Sequence, residues 1–143
     1  NFKILGRFIM DIFNLVGYEE LYDLKLKNPV TGKELGVVFK IRCAGSEEVS
    51  KVMRKHVDEM KRFHVSNSGL SELERSEALV TLVETQQEEI HASYIGGWDW
   101  GNNDFKGEVP EHSFEKACEV MKVNWIFNEV RASALNLSLF MNA

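Results

Sequence analysis

Four histidines and two cysteines are the most chemically versatile side chains of this 143-residue chain. Imidazole and thiolate groups bind metals and transfer protons near neutral pH. His56 and His64 are eight residues apart, and no two histidines have the four-residue spacing that places metal ligands on adjacent helical turns. His56 also falls within an apolar helical stripe, which is typical of a hydrogen-bonded core histidine. We therefore predict neither a metal site nor a cofactor.

Cys43 and Cys118 are isolated in the sequence and have no neighbouring metal-ligand partners. Cys118 lies between Phe114 and Met121 on one face of a predicted helix, which is typical of a small core residue. We predict two buried, reduced thiols, as in a cytosolic protein, and a single disulfide is the alternative.

The common catalytic patterns are missing from the sequence. No serine lies in a nucleophile elbow, and Gly96-Gly97 lacks the lysine and hydroxyl of a phosphate-binding loop. Glu88 and Glu89 are adjacent, so on a helix they point in different directions, which is poor geometry for a carboxylate pair. We predict a protein without catalytic residues.

Polar residues near the tryptophans suggest two further interpretations. The first is a calcium site formed by the short oxygen side chains of residues 99–104, but these side chains do not alternate as the ligands of an EF-hand loop do. A small enzyme with a site around His91, Asp99 and His112 is the competing functional interpretation. It requires a polar pocket in which these three residues meet.

The densest aromatic region lies in a Gly/Asn/Asp-rich segment, 96–109, which we predict to be a loop. It carries Trp98, Trp100 and Phe105. If the segment is a strand, the two tryptophans share a face and form one aromatic wall, whereas in a turn they diverge. Anchoring of both in the core is the simpler interpretation. Because tryptophan is over-represented among binding hot spots, the functional interpretation is that Trp98, Trp100 and Phe105 contribute to a partner-binding surface.

Two strands are predicted before this region. Apolar residues alternate mainly with polar ones over 22–27 and again over 37–42. The intervening segment, 28–33, is rich in turn-forming residues, so the pair predicts a β-hairpin over 20–43. An isolated hairpin is marginal in water, and this one must therefore pack on the helices.

Four amphipathic helices are predicted in residues 46–141, because apolar residues recur there at three- and four-residue spacing. Serines at suitable N-cap positions begin three of them. The predicted helices cover about 46–66, 71–93, 113–121 and 125–140. The chain is therefore predicted to be one domain, 1–143, of the α+β class, mainly helical, with the hairpin first and about four helices after it.

The last predicted helix has a wide apolar surface. One stripe runs from Phe127 to Met141 and suits a core, while Ile126, Leu135 and Leu139 widen it. We predict that these last three residues bind a partner. A helix buried on two sides within the domain is the alternative.

Charge is distributed unevenly along the chain, whose formal net charge is −5. Residues 1–65 contain 12 Lys/Arg and 9 Asp/Glu, whereas residues 66–143 contain 5 and 13. The sequence has no concentrated positive region, which disfavours nucleic-acid binding but permits head-to-tail self-association or capture of a basic partner. No apolar run is long enough to cross a bilayer, so we expect no membrane interaction.

The first nine residues are basic and apolar but too short for a secretory signal with a cleavage site. Met10-Asp11 is a plausible start, so residues 1–9 are predicted to be vector-derived or upstream residues. A native amphipathic segment at the N-terminus is the alternative.

Residues 95–140 resemble the small tail assembly chaperones of long-tailed bacteriophages. The resemblance rests on Gly97-Trp98-Asp99-Trp100, on Phe105, on Val109-Pro110 and on Ser113-Phe-Glu-Lys-Ala117, followed by an amphipathic C-terminal helix. In that family a Trp-containing loop precedes a proline and a Ser-capped helix. The helix start differs here, since Phe-Glu-Lys-Ala stands where the family has an Asn-Ala pair.

The resemblance implies a non-enzymatic protein of the infected bacterial cytoplasm that binds the tape-measure protein and recruits tail-tube subunits. A tape-measure protein is long, helical and apolar, so its chaperone needs an exposed hydrophobic groove or helix face. Assembly into a homo-oligomer is compatible with this role. Another phage or bacterial adaptor or structural protein without catalysis is the alternative.

Overall fold

The computed structural model describes residues 2–4, 7–9 and 11–142, with side chains for residues 11–142. Its elements are β1 (Phe2–Ile4), β2 (Arg7–Ile9), β3 (Leu21–Lys27), β4 (Glu34–Arg42), α1 (Glu47–Ser66), α2 (Glu72–Ser93), β5 (Ile95–Asp99), α3 (Phe114–Val120) and α4 (Asn124–Leu135). Short 3₁₀ helices cover Ile12–Asn14 and Leu137–Phe140. The predicted α+β class is confirmed, since a sheet near the N-terminus is followed by four α-helices.

At the N-terminus, β1 and β2 pair with each other in antiparallel fashion. The prediction about the origin of residues 1–9 falls partly on residues 1, 5 and 6, which lie outside the described residues. Pairing of the flanking backbone does not bear on that origin.

The main sheet is antiparallel and three-stranded, in the order β3-β4-β5, so β4 is its central strand. Phe39 of β4 stands opposite Leu24 on one side and Trp98 on the other. Alternate residues point into the core, as the period-two pattern predicts. The inward-facing residues of β3 and β4 are Leu24, Leu26, Val37, Phe39 and Ile41.

Residues 95–99 form β5, although the sequence predicts that a loop begins at residue 96. The period-two signal is missing there because Gly96 and Gly97 have no side chains. Gly96 also lies at a close approach, since a Cβ at this position would be 3.1 Å from Leu21 Cδ2. Pairing with β4 overrides the weak strand propensity of glycine. The irregular segment therefore begins at Trp100.

Two of the predicted N-caps are formed by side-chain hydrogen bonds. The Ser71 hydroxyl accepts a hydrogen bond from the Glu74 amide, and the Ser113 hydroxyl accepts one from the Lys116 amide. α1 follows Ser46, whose hydroxyl is buried and has no hydrogen-bond partner among the described residues. The serines in the sequence thus predict the starts of α2 and α3 correctly, because their hydroxyls accept hydrogen bonds from backbone amides of the first turn.

α4 ends at Leu135, earlier than the predicted end near Phe140. Asn136 adopts an extended conformation with φ −90° and ψ 94°, and its side-chain oxygen accepts a hydrogen bond from the Ser138 amide. This bond caps the first turn of the 3₁₀ helix Leu137–Phe140, as asparagine side chains commonly do at helix starts. A 3₁₀ turn follows and buries Phe140.

α1 and α2 form a helical hairpin that is only partly covered by the rest of the domain. α1 packs mainly on α2, and its only buried residues are Val49 and His56. Burial in α2 is confined to its last three residues. Large apolar side chains that are 41–77% exposed on this hairpin are Met53, Val57, Val65, Leu73, Val80 and Val83. Among the described residues, no helix is both long and apolar enough to span a bilayer.

Replacement of Phe39 tests the importance of the central strand. Phe39 is fully buried, so Phe39→Ala should lower the free energy of unfolding by about 3–5 kcal/mol, through lost burial and the cavity left behind. Urea denaturation measures this change. Phe13→Ala is the control, because Phe13 is 91% exposed and should change stability by no more than about 0.5 kcal/mol. Similar losses in both variants would contradict a core organised around β4.

Candidate functional site

A cluster of aromatic rings covers one face of the sheet where β5 ends. The ring centroids of Trp98 and Trp100 lie 5.5 and 5.6 Å from that of Phe39, and 5.6 Å from each other. Phe105 is 5.7 Å from Trp100, and His112 is 5.1 Å from Trp98. These separations suit aromatic pairs that stabilise a fold beyond their burial alone. The two tryptophans therefore form a single aromatic wall, although only Trp98 lies within β5 and Trp100 follows it.

Packing in this cluster anchors both tryptophans. Trp100 is 6% exposed. Trp98 is half-buried, and its Nε1 donates a hydrogen bond to the Pro110 carbonyl at 3.0 Å. Phe105 is half-buried as well. The core-anchor interpretation therefore fits both tryptophans, and Trp100 has too little surface to be an exposed contact residue.

Polar side chains hold the loop that follows β5. The Asn103 side-chain amide donates to the carbonyls of Leu35 at 2.7 Å and Trp100 at 3.1 Å. Asp99 Oδ1 accepts a hydrogen bond from the Gly101 amide at 2.8 Å. Asn and Asp side chains commonly form such hydrogen bonds with the backbone in turns, which explains why short oxygen side chains are concentrated here.

An apolar cavity of about 260 Å³ lies between β3, β4, this loop and the start of α4. Trp100, Phe105 and Ile126 line it, so three of the six predicted partner-binding residues meet at one place. The other apolar lining residues are Leu26, Leu35, Val37, Val123 and Trp125, and the polar ones are Asn103 and Asp104. The fold thus brings the two predicted groups, one from the tryptophan segment and one from the last helix, to a common cavity.

The predicted binding residues of the last helix separate into different environments. The prediction that Ile126 lies on the free side of the helix is wrong, because it is 4% exposed and reaches the cavity from within the core. Leu135 is 52% exposed. Leu139 lies in the 3₁₀ turn and packs, half-buried, against the core. Of these three residues, only Leu135 presents a large apolar surface to solvent.

Two apolar surfaces, one at the cavity and one on the α1–α2 hairpin, are not among the predicted binding residues. Trp125 lines the cavity, and its signal in the sequence is a large aromatic side chain at a predicted helix start. The exposed apolar residues of α1 and α2 have the same three- and four-residue spacing as core residues. Only the position of the hairpin, beyond the rest of the domain, shows that they are exposed.

A larger cavity of about 400 Å³ lies along β3 but has a mixed charged lining. Its charged residues are Lys25, Lys27, Glu34 and Glu129, together with Asp23, which forms an ion pair with Lys40 at 2.6 Å. Neighbouring charges of opposite sign leave no excess of either charge for a ligand to complement. We therefore take the smaller, apolar cavity as the candidate functional site.

The three residues of the competing enzyme site do not meet. The His112 ring packs against Trp98, with its Nε2 3.2 Å from the Ile95 carbonyl, whereas Asp99 is exposed and, as the next residue of the strand, points to the opposite face from Trp98. His91 is buried, and its ring stacks on Phe127 with centroids 3.9 Å apart. The polar pocket that this interpretation requires is not formed by His91, Asp99 and His112.

Both cysteines are free thiols, as predicted. Cys43 is buried, but Cys118 is half-buried, which corrects the prediction that both lie in the core. Burial raises the pKa of the Cys118 thiol, and the negative charges of Glu89 and Glu88 raise it further. The thiol therefore stays protonated near neutral pH, and a protonated thiol is a poor nucleophile.

Comparison with known proteins gives no relative of this chain. No family model, curated protein or solved structure matches it. A functional assignment consequently depends on the geometry of the described residues, and the family resemblance of residues 95–140 stays a prediction.

The loop beside the cavity depends on a glycine at residue 101. Gly101 has φ 58°, and a Cβ there would lie 2.6 Å from the Gly36 carbonyl oxygen. Gly107 also has a positive φ, 85°, but a Cβ there would meet nothing within 4 Å. We predict that Gly101→Ala costs at least about 1 kcal/mol more than Gly107→Ala, because only the first adds a backbone clash to conformational strain. Urea denaturation of the two variants measures the free energy of unfolding. Equal losses in the two variants would contradict the close approach of residue 101 to the Gly36 carbonyl.

His91 should make stability depend on pH. Burial lowers its pKa below the ordinary 6.5, Arg131 lowers it further, and the hydrogen bond to the Gln87 carbonyl opposes both. The unfolded chain therefore takes up a proton at pH values where the folded chain does not. Stability should fall as the pH decreases below about 6.5.

The measurement is the free energy of unfolding between about pH 7.5 and pH 5.5. His91→Gln should have a flatter pH dependence than the wild-type protein. His64→Gln removes a histidine from the exposed end of α1 and should retain the wild-type slope. A wild-type slope in His91→Gln would show that this histidine does not resist protonation in the folded state.

Proposed function

We propose that this protein is a non-enzymatic tail assembly chaperone of a long-tailed bacteriophage, acting in the host bacterial cytoplasm. In this role it binds an apolar helical segment of the tape-measure protein and recruits tail-tube subunits. The observation that carries the proposal is the apolar cavity at which Trp100, Phe105 and Ile126 meet. These residues come from the two parts of the chain that resemble the family.

The size of the cavity supports recognition of a side chain. Its volume of about 260 Å³ is below the range of about 300–1,000 Å³ that is usual for small-molecule sites. One or two large apolar side chains would fill it. An amphipathic helix that binds in a groove places such anchors at three- and four-residue intervals, and aromatic-lined pockets are where hot-spot contacts concentrate.

The exposed surroundings of the cavity suit transient binding. Phe105 and Trp125 are half-buried at its lining, and Val109 of the same loop is 65% exposed. A chaperone must release its client when the tail assembles. A small anchor pocket with a partly polar lining, which includes Asn103 and Asp104, gives moderate affinity and permits release.

An adaptor or structural protein without catalysis is the second candidate. The observation that favours it is the α1–α2 hairpin, whose exposed apolar residues include Met53, Val57 and Val80. Incompletely covered amphipathic helices commonly pair with other helices, including those of a second copy of the same chain. A permanent place in the mature tail would distinguish an adaptor from a chaperone.

Mutations in the cavity lining test the proposed binding site. Phe105→Ser removes an aromatic wall of the cavity and should weaken binding of the tape-measure protein by about tenfold or more. Co-expression with candidate tape-measure proteins followed by pull-down identifies the partner, and calorimetry with its bound segment measures the affinity. Circular dichroism checks that each variant is folded.

Val109→Ser is the matched control, because Val109 lies in the same loop, is exposed and does not line the cavity. It should bind as the wild-type protein does. Leu135→Asp tests the predicted contribution of the exposed end of α4 and should also weaken binding. Unchanged affinity in folded Phe105→Ser would remove the cavity as the binding site, whatever the result for Leu135.

A further inference from the structure

Three potential metal-binding side chains meet between α1 and α2. His56 and Glu59 are three residues apart on α1, and Glu89 comes from the facing side of α2. One ligand atom from each of them lies within 4.8 Å of the others. His56 Nε2 and Glu89 Oε1 are 3.0 Å apart. The two helices thus bring an imidazole and two carboxylates to one point.

The cluster is buried at the histidine and partly exposed at the carboxylates, since the Glu59 and Glu89 side chains are 26% and 18% exposed. His56 is 7% exposed, so more than nine-tenths of it is buried. Glu59 Oε1 is closed to solvent and accepts no hydrogen bond from the described residues. A buried carboxylate oxygen without a donor is costly, and a bound ion is one way to satisfy it. The closed oxygen is an observation independent of the proximity of the three residues.

Lys55 supplies the nearby positive charge in this structure. Its ammonium group lies 3.8 Å from Glu89 Oε2 and 4.0 Å from Glu59 Oε1, both beyond hydrogen-bond distance. The Lys55 side chain is 62% exposed, so it can turn towards solvent without breaking a buried contact. A cation bound between the carboxylates would take over its electrostatic role.

We propose that His56, Glu59 and Glu89 bind one divalent transition-metal ion of the zinc class and thereby join α1 to α2. Imidazole with carboxylates is a ligand set that zinc accepts, and a solvent molecule completes four-coordination. Tetrahedral ligands at about 2.0–2.2 Å from zinc lie roughly 3.4 Å apart. The three ligand atoms now lie within 4.8 Å of one another, so small side-chain rotations would bring them to that separation. The ion would stabilise the least covered part of the fold, separately from the client-binding role.

Zinc titration of the untagged, chelator-treated protein tests this site. Calorimetry should show one Zn²⁺ per chain, and the thermal midpoint should rise with added Zn²⁺. His56→Gln, Glu59→Gln and Glu89→Gln should each weaken Zn²⁺ binding at least tenfold. Glu59→Gln is the essential variant, because the ion pair of Glu59 with Lys55 is long, 4.0 Å, and its loss should leave the chain folded.

Two matched controls and one opposite change sharpen the test. His64→Gln on the same helix and Glu88→Gln, whose carboxylate pairs with Lys122 at 2.7 Å, should bind Zn²⁺ within twofold of the wild-type protein. Lys55→Met should strengthen binding several-fold, since it removes a competing cation. If the carboxylates only form ion pairs with Lys55 and bind no metal, Lys55→Met should give no gain in Zn²⁺ affinity.

Substitution of Co²⁺ for Zn²⁺ gives a spectroscopic check. Visible absorption without a thiolate charge-transfer band is expected for a site that excludes Cys43 and Cys118. Absence of one-to-one binding, or unchanged affinity in folded Glu59→Gln, would overturn the proposal. A thiolate band would do so as well, because it would place the ion on a cysteine.

Discussion

The packing of Phe39 against the two tryptophans is the interaction on which the other elements depend. Phe39 lies on the central strand and stands opposite a residue of each neighbouring strand, so it joins β3 and β5 in one layer. Its ring contacts both Trp98 and Trp100. Without that contact, β5 would have little reason to pair, because two of its five residues are glycines with weak strand propensity. The same packing fixes the start of the loop and therefore one wall of the apolar cavity.

Local patterns in the sequence predict those parts of the fold that local physics determines. Alternation gives the β3–β4 hairpin, and the serine caps give the starts of α2 and α3. β5 could not be predicted in this way, because Gly96 and Gly97 contribute no side-chain pattern and the strand exists through its partner. The end of α4 is a competition between apolar periodicity and the side-chain hydrogen bond of Asn136, and the hydrogen bond prevails.

The candidate sites show the same division between local and distant information. Trp100, Phe105 and Ile126 are identifiable as large apolar residues, but their meeting at one cavity depends on how α4 packs against the sheet. Helical spacing alone does not tell which stripe of a wide apolar surface faces inward, and for this reason the sequence predicts the wrong side of the helix for Ile126. His56 and Glu89 are 33 residues apart, and only the helical hairpin brings them within hydrogen-bond distance.

Trp100 carries a polar cost at the centre of the aromatic wall. Its indole Nε1 is buried and has no acceptor among the described residues, although the ring lines the cavity. An unsatisfied buried donor costs about 1–3 kcal/mol, and tryptophan elsewhere in cores usually finds a partner, as Trp98 does with Pro110. The buried ring offsets this cost through its contacts with Phe39, Trp98 and Phe105. The aromatic wall therefore holds the sheet together although one of its polar atoms is unpaired, which shows that packing of the rings outweighs one unmade hydrogen bond.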